Sequence, residues 1–214
     1  MGGVGYEFIP EPFVVLQLLA HDIDLHVSGQ RLGSIGCEDE EGSFHAEIIE
    51  TDEYYEGYPS DTLNSIIIKE KVRLCKSEWE EVIREGDQFI SVHIPRGEKI
   101  DREHTTAAYT RCREVLSRCF PEFKPKAFAC YSWLMEPRLA LLLKPTSNIL
   151  SFQSKFMRFP LVSQGRGVFG FLFTDQSIKR LEDLPENTSL ERAAKKYLLE
   201  GNHLFEQGGV FFEI

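Results

Sequence analysis

The chain has 214 residues, with 24 Lys or Arg against 34 Asp or Glu, for a formal net charge of −10. One domain is expected at this length, and 42% hydrophobic with 27% charged residues is ordinary globular composition, which excludes the disordered, collagen-like and membrane-spanning classes. An acidic chain with no run of clustered Lys and Arg lacks the basic face that phosphate contacts require, so nucleic acid is not expected as a partner.

From Glu11 to about Gln30, Phe13, Leu16, Ala20, Ile23 and Val27 recur at three- and four-residue spacing, which predicts an amphipathic helix. Strands through Val14, Val15, His26 and Val27 are the other outcome that the same residues allow. Arg31 to Glu38 and Phe44 to Glu50 flank the acidic, Gly-containing turn at 38–43 and predict a hairpin. Thr51 to Ser65 is polar, aromatic and acidic and predicts an exposed connection before a strand from Ile66 to Leu74. Ser77 with the following acidic residues predicts a short helix to about Arg84, closed by Gly86.

The middle of the chain is more regular. Gln88 to Pro95 alternates, with Phe89, Ser91 and His93 on one face and Ile90, Val92 and Ile94 on the other, which predicts a strand. After the turn from Pro95 to Lys99, Asp101 can cap a helix whose Ala108, Cys112, Val115, Leu116 and Cys119 repeat every 3.6 residues and which stops before Pro121. Cys112 and Cys119 are expected on its packed face. Lys126 to Leu134 predicts a second strand, and strand, helix and strand of this length make a β-α-β unit with parallel strands. Further on, the pattern predicts a short helical run at Leu139–Leu143, a helix from Ser147 and strands over Arg158–Val162 and Gly167–Phe173. A helix from Ser189 to Leu199 stopped by Gly201 and a terminal strand or tail at Val210–Ile214 complete a mixed α/β chain.

Neither a basic segment ahead of an apolar core nor a run of about 18 apolar residues is present, so a cytoplasmic protein with no membrane partner is expected. Cys37, Cys75, Cys112, Cys119 and Cys130 are an odd number without CxxC, which fits reduced thiols better than a disulfide framework. His21, His26, His45, His93, His104 and His203 form no HxH, HxxxH or HExxH, so no metal is expected.

A ligand phosphate would be expected at the turn after Gln88–Pro95, where the following helix presents unpaired N–H groups and Arg96 and Lys99 add charge. Three stretches taken together, Ser91-Val92-His93-Ile94-Pro95, Cys130-Tyr131-Ser132-Trp133-Leu134 and the segment from Ser147 to Phe156, resemble the GNAT-like C-terminal domain of bacterial two-domain acyltransferases. The likeness runs from about Arg31 to Phe205 and includes the segment from Leu184 to Leu199. It implies a GNAT-like fold: a central mixed, mostly antiparallel sheet with flanking helices and a β-α-β core, splayed between two strands to hold acyl-coenzyme A. Residues 31–214 would be the acyl-CoA-binding domain and residues 1–30 an extension, or the remnant of an upstream helical domain.

On that resemblance, acetyl-CoA or another acyl-CoA is the cosubstrate and a small molecule, with an amine, is the acyl acceptor. The backbone of His93 and Ile94 would pair with pantetheine, and the loop of Arg96, Gly97 and Lys99 would face the pyrophosphate. Only Gly97 stands where GNAT enzymes carry Q/R-x-x-G-x-G/A, and Tyr131 stands where the family commonly has His. Asn148 would join the cofactor site or cap its helix. His93 is the candidate base, Tyr131 the candidate acid for the leaving thiolate, and Ser132 a proton relay or substrate ligand. Two alternatives stay open: covalent catalysis with Cys130 as nucleophile and His93 as base, which burial of the thiol disfavours, and a noncatalytic ligand-binding or interaction module. The oligomeric state also stays open, a dimer included.

Overall fold

A computed structural model describes residues 5–10, 13–17, 21–24, 27–28, 44–45, 48–68, 70–84, 87–95, 97–161, 163, 165–174 and 180–212. Its strands are β1 (Gly5–Pro10), β2 (Phe13–Gln17), β3 (His21–Asp24), β4 (Val27–Ser28), β5 (Phe44–His45), β6 (Ile49–Glu50), β7 (Tyr54–Gly57) and β8 (Ser60–Asp61), then β9 (Ile66–Ile67), β10 (Val72–Cys75), β11 (Glu80–Ile83), β12 (Gln88–His93), β13 (Ala127–Ser132), β14 (Met157–Pro160) and β15 (Gln207–Phe211). The α-helices are α1 (Arg102–Cys119), α2 (Asn148–Gln153), α3 (Arg166–Phe171) and α4 (Ser189–Leu199).

The largest sheet has the order β1-β12-β13-β15-β14, with β12 and β13 parallel and every other neighbouring pair antiparallel. A parallel pair needs a crossover, and α1 supplies it. The local sequence fixes both ends of α1. The Asp101 carboxylate accepts the His104 N–H at 3.0 Å, and the Phe120 N–H closes back onto the Leu116 carbonyl just before Pro121. Tyr109 and Cys112 face inward, whereas Cys119, expected beside them, is the last residue of α1 and exposed.

Alternation along the strands divides the core in two. On the α1 side Ile90, Val92, Phe128 and Cys130 pack with Tyr109, Phe152, Phe156 and Phe211, with Phe128 and Phe211 stacked at 4.8 Å. On the opposite face Phe89, Ala127, Ala129, Phe159 and Val210 pack with Ile83 of β11. That second layer is a sheet of order β11-β2-β3.

Several local expectations are corrected. The Glu11–Gln30 segment takes the strand outcome and not the helix: Val14 and Val15 lie in β2 and Val27 in β4, and β2 pairs with neighbouring β3 and, across the chain, with β11. Ser77–Arg84 is not helical either: Glu80–Ile83 forms β11 against β2, with Ile83 fully buried. Residues 51–65 hold β7 and β8, and Tyr55 is a core residue 6% exposed. The strand expected at Arg31–Glu38 lies outside the described residues, and β5 pairs with β4. Gly167–Phe173 is not a strand: α3 begins at Arg166, and the carboxylate of Glu206 accepts the N–H groups of Gly165 (3.2 Å) and Gly167 at the helix start. A capping group some 40 residues away leaves no trace in a local pattern. Gln207–Phe211 is an interior strand between β13 and β14, where Gly208 lets the Phe159 ring lie across the backbone.

Candidate functional site

Pairing between β12 and β13 runs through Phe89–Ala127, Ile90–Phe128 and Ser91–Ala129 and ends there. Beyond it β12 stays bonded to β1 as far as His93, and β13 stays bonded to β15 as far as Ser132. The central sheet therefore divides into two halves at the carboxyl ends of its parallel strands, where open α/β sheets place their ligands. The last residues of the strands, Val92 and His93 on one side and Cys130, Tyr131 and Ser132 on the other, flank this split.

His93 and Tyr131 share the sheet face opposite α1. His93 is exposed, and its Nε2 lies 3.0 Å from the Ser91 hydroxyl, the residue two positions back on the same face. Tyr131 is half-buried with its ring edge-on to Phe159. Ser132 belongs to the other face, and its hydroxyl accepts the Leu134 N–H at 3.1 Å, capping the short 3-10 turn Trp133–Met135. Cys130 faces the packed side, 1% exposed, and burial pushes its thiol up to about 12. A nucleophile there would be protonated, which argues against covalent catalysis.

At the mouth of the split the chain turns through the loop before α1. Ile94 packs on the α1-side core, Gly97 takes a φ of +85° with open space around it, and Lys99 is exposed; Arg96 lies outside the described residues. The first turns of α1 and the end of α2 then enclose a cleft of about 480 Å³, lined by Arg102, Thr105, Thr106 and Tyr109 from α1, by Ser151 from α2 and by Lys155 just past the end of α2. The ammonium of Lys155 sits 5.0 Å from the ring centres of both Tyr109 and Phe211. Two cations and two threonines beside the positive end of an 18-residue helix make a cleft suited to an anion.

The split and the loop thus gather His93, Ile94, Gly97, Lys99 and Tyr131 around the carboxyl end of β12. Asn148 stands apart from them as the exposed first residue of α2, and the cap is Ser147, whose hydroxyl accepts the Ile149 N–H at 3.2 Å. Arg102, Thr106 and Lys155 join the site without having stood out in the sequence. Lys155 lies inside the third family-like stretch, but only the packing of α2 against α1 reveals which element it faces. Among the described residues no group of His, Cys, Asp and Glu could hold a metal ion, and no helix is long and apolar enough to cross a membrane.

The model of the GNAT-like C-terminal domain family matches residues 20–211. No curated protein sequence matches the chain. Among solved structures, an acyltransferase in complex with decanoyl-CoA superposes with a TM-score of 0.55 at 23% identity, over 75% of this chain and 46% of that one. An acyltransferase in complex with CoA and 10C-teicoplanin gives 0.54 at 19% identity, over 74% and 46%. A mutant acyltransferase in complex with octanoyl-CoA gives 0.55 at 18%, over 78% and 47%. The chain spans less than half the length of these neighbours, and at such identities the likeness is one of fold.

Proposed function

Because this chain belongs to the family of GNAT-like C-terminal domains, we propose that it binds acyl-coenzyme A in the split between β12 and β13 and transfers the acyl group to a small-molecule acceptor, an amine. The observation that carries this proposal is the end of pairing at Ser91 and Ala129, with an anion-suited cleft at the neighbouring helix start. Pantetheine is an extended arm with two amides, and strand edges that no longer bond each other can take it as a short added strand. The phosphates then reach the cleft, where Arg102 and Lys155 meet them, with Lys99 on the approaching loop.

In this account the acceptor nitrogen attacks the thioester carbonyl carbon. The C–N bond forms, the C–S bond breaks, and His93 takes the proton released from nitrogen. Tyr131, on the same sheet face, gives its hydroxyl proton to the departing thiolate and recovers one from solvent. Ser132, engaged in its turn cap, holds the end of β13 in place. The solved neighbours bound to decanoyl- and octanoyl-CoA support acyl chains longer than acetyl as donors to be tried first.

The second interpretation, a module that binds without turnover, is favoured by the single glycine of the phosphate loop, Gly97. An acceptor screen with acetyl- and decanoyl-CoA, following free thiol release, separates the two. Thiol release that depends on an amine supports transfer; binding of both donors with no release in any acceptor supports the module.

A further inference from the structure

A polar network that runs from the buried Gln153 to the surface takes no part in the chemistry proposed above. Gln153, 2% exposed at the end of α2, donates its amide to the carbonyls of Leu134 (2.5 Å) and Glu136 (2.9 Å), in the turn that leaves β13. Its own carbonyl oxygen accepts Nη1 of Arg158 at 3.0 Å. The same guanidinium donates Nη2 to the Leu63 carbonyl at 2.6 Å and Nε to the Thr62 carbonyl at 3.3 Å. Residues 62–65 are the turn of the β8–β9 hairpin. From the other side of that turn, Ser65 donates its hydroxyl to Gln207 at 3.1 Å in a buried bond, and Gln207 is the cross-strand partner of Ser132, the last residue of β13. The hairpin is thereby moored one strand away from the mouth of the split.

Local bonds shape the turn without anchoring it. Asp61 accepts the N–H groups of Leu63 (2.9 Å) and Asn64 (3.1 Å), and Ser65 is held at a φ of +53°, a left-handed conformation costly for a residue with a side chain. The anchors are Arg158 and Gln207. What they present is apolar: Leu63 is 74% and Ile66 47% exposed, whereas Ile67 is buried. A single guanidinium thus joins α2, which walls the phosphate cleft, to an apolar hairpin held one strand away from β13.

We infer that Arg158 is a positioning residue that fixes the Ser60–Ile67 hairpin as an apolar wall for the acyl chain, so that the chain length of the donor is sensed by Leu63 and Ile66. The inference rests on acyl-CoA occupying the split.

The test needs no acceptor. Calorimetric titration with acetyl-CoA and decanoyl-CoA is paired with hydrogen exchange of the hairpin amides in the wild type, Arg158→Ala, Arg158→Lys and Leu63→Ser. The wild type should bind decanoyl-CoA about tenfold more tightly than acetyl-CoA, the worth of roughly two buried methylenes. Arg158→Ala should speed hairpin exchange about tenfold and remove that preference while leaving acetyl-CoA affinity within about twofold, and Arg158→Lys, which keeps one donor, should restore part of both. Leu63→Ser should remove preference without changing exchange. Equal weakening of both donors, unchanged hairpin exchange in Arg158→Ala, or a wild type without preference overturns the inference while the acyl-CoA assignment stands. A wild type that binds neither donor overturns that assignment and the inference with it.

Discussion

Along β12 and β13 the same two strands build two unlike regions. Where they are bonded to each other, Phe89, Ile90 and Ser91 face Ala127, Phe128 and Ala129, and none of the six is more than 3% exposed. Each strand there has a bonded neighbour on both sides, β12 between β1 and β13 and β13 between β12 and β15, and the side chains are packed between α1 and the β11-β2-β3 layer, so this part holds the fold together. Two residues further along, the strands have separate partners, His93 is exposed and Tyr131 is half-buried. The lower part makes the upper part possible: a split can stay open only if the sheet below it and the flanking strands β1 and β15 keep each half rigid.

If that division is right, substitutions in the two regions should separate stability from function. The largest effect is expected from Phe128→Ala, which removes the ring stacked on Phe211 and packed against Tyr109 and should cost about 3–5 kcal/mol in denaturant unfolding. Its residual folded fraction should bind CoA normally. His93→Ala should lower turnover at least about tenfold while the unfolding midpoint and CoA affinity hold, as for a lost base; unchanged turnover would remove His93 from that role. Lys155→Ala with Arg102→Ala should weaken CoA binding by about tenfold, less at high salt, since charge-assisted bonds to phosphate are lost. The same comparison with Lys99→Ala shows how much the loop adds to the cleft. The smallest effect belongs to Cys130→Ala, which should leave turnover intact. At about pH 8 the buried Cys130 thiol, pushed up to about 12, should resist alkylation in the native protein while exposed Cys75 and Cys119 react.

The sequence made the central unit legible because its signals are local. Alternation over Gln88–His93, the Asp101 cap, the 3.6-residue repeat of α1 and the stop at Pro121 all lie within a few residues of what they determine. The same holds for the α4 start, where Thr188 and Glu191 close a capping box. What was illegible depends on distant partners: β11 owes its strand form to β2, and α3 owes its start to Glu206. The site divides in the same way. His93 and Tyr131 could be picked out because strand ends of a β-α-β unit face ligands, whereas the cleft cations Arg102 and Lys155 come together only through the packing of α2 on α1.

The most direct test of the central claim is calorimetric titration of coenzyme A into the wild-type chain and the Lys155→Ala variant at low and high salt. The account predicts saturable micromolar binding to the wild type that weakens in the variant and with salt. No binding up to millimolar coenzyme A, or binding indifferent to Lys155 and to salt, would contradict it.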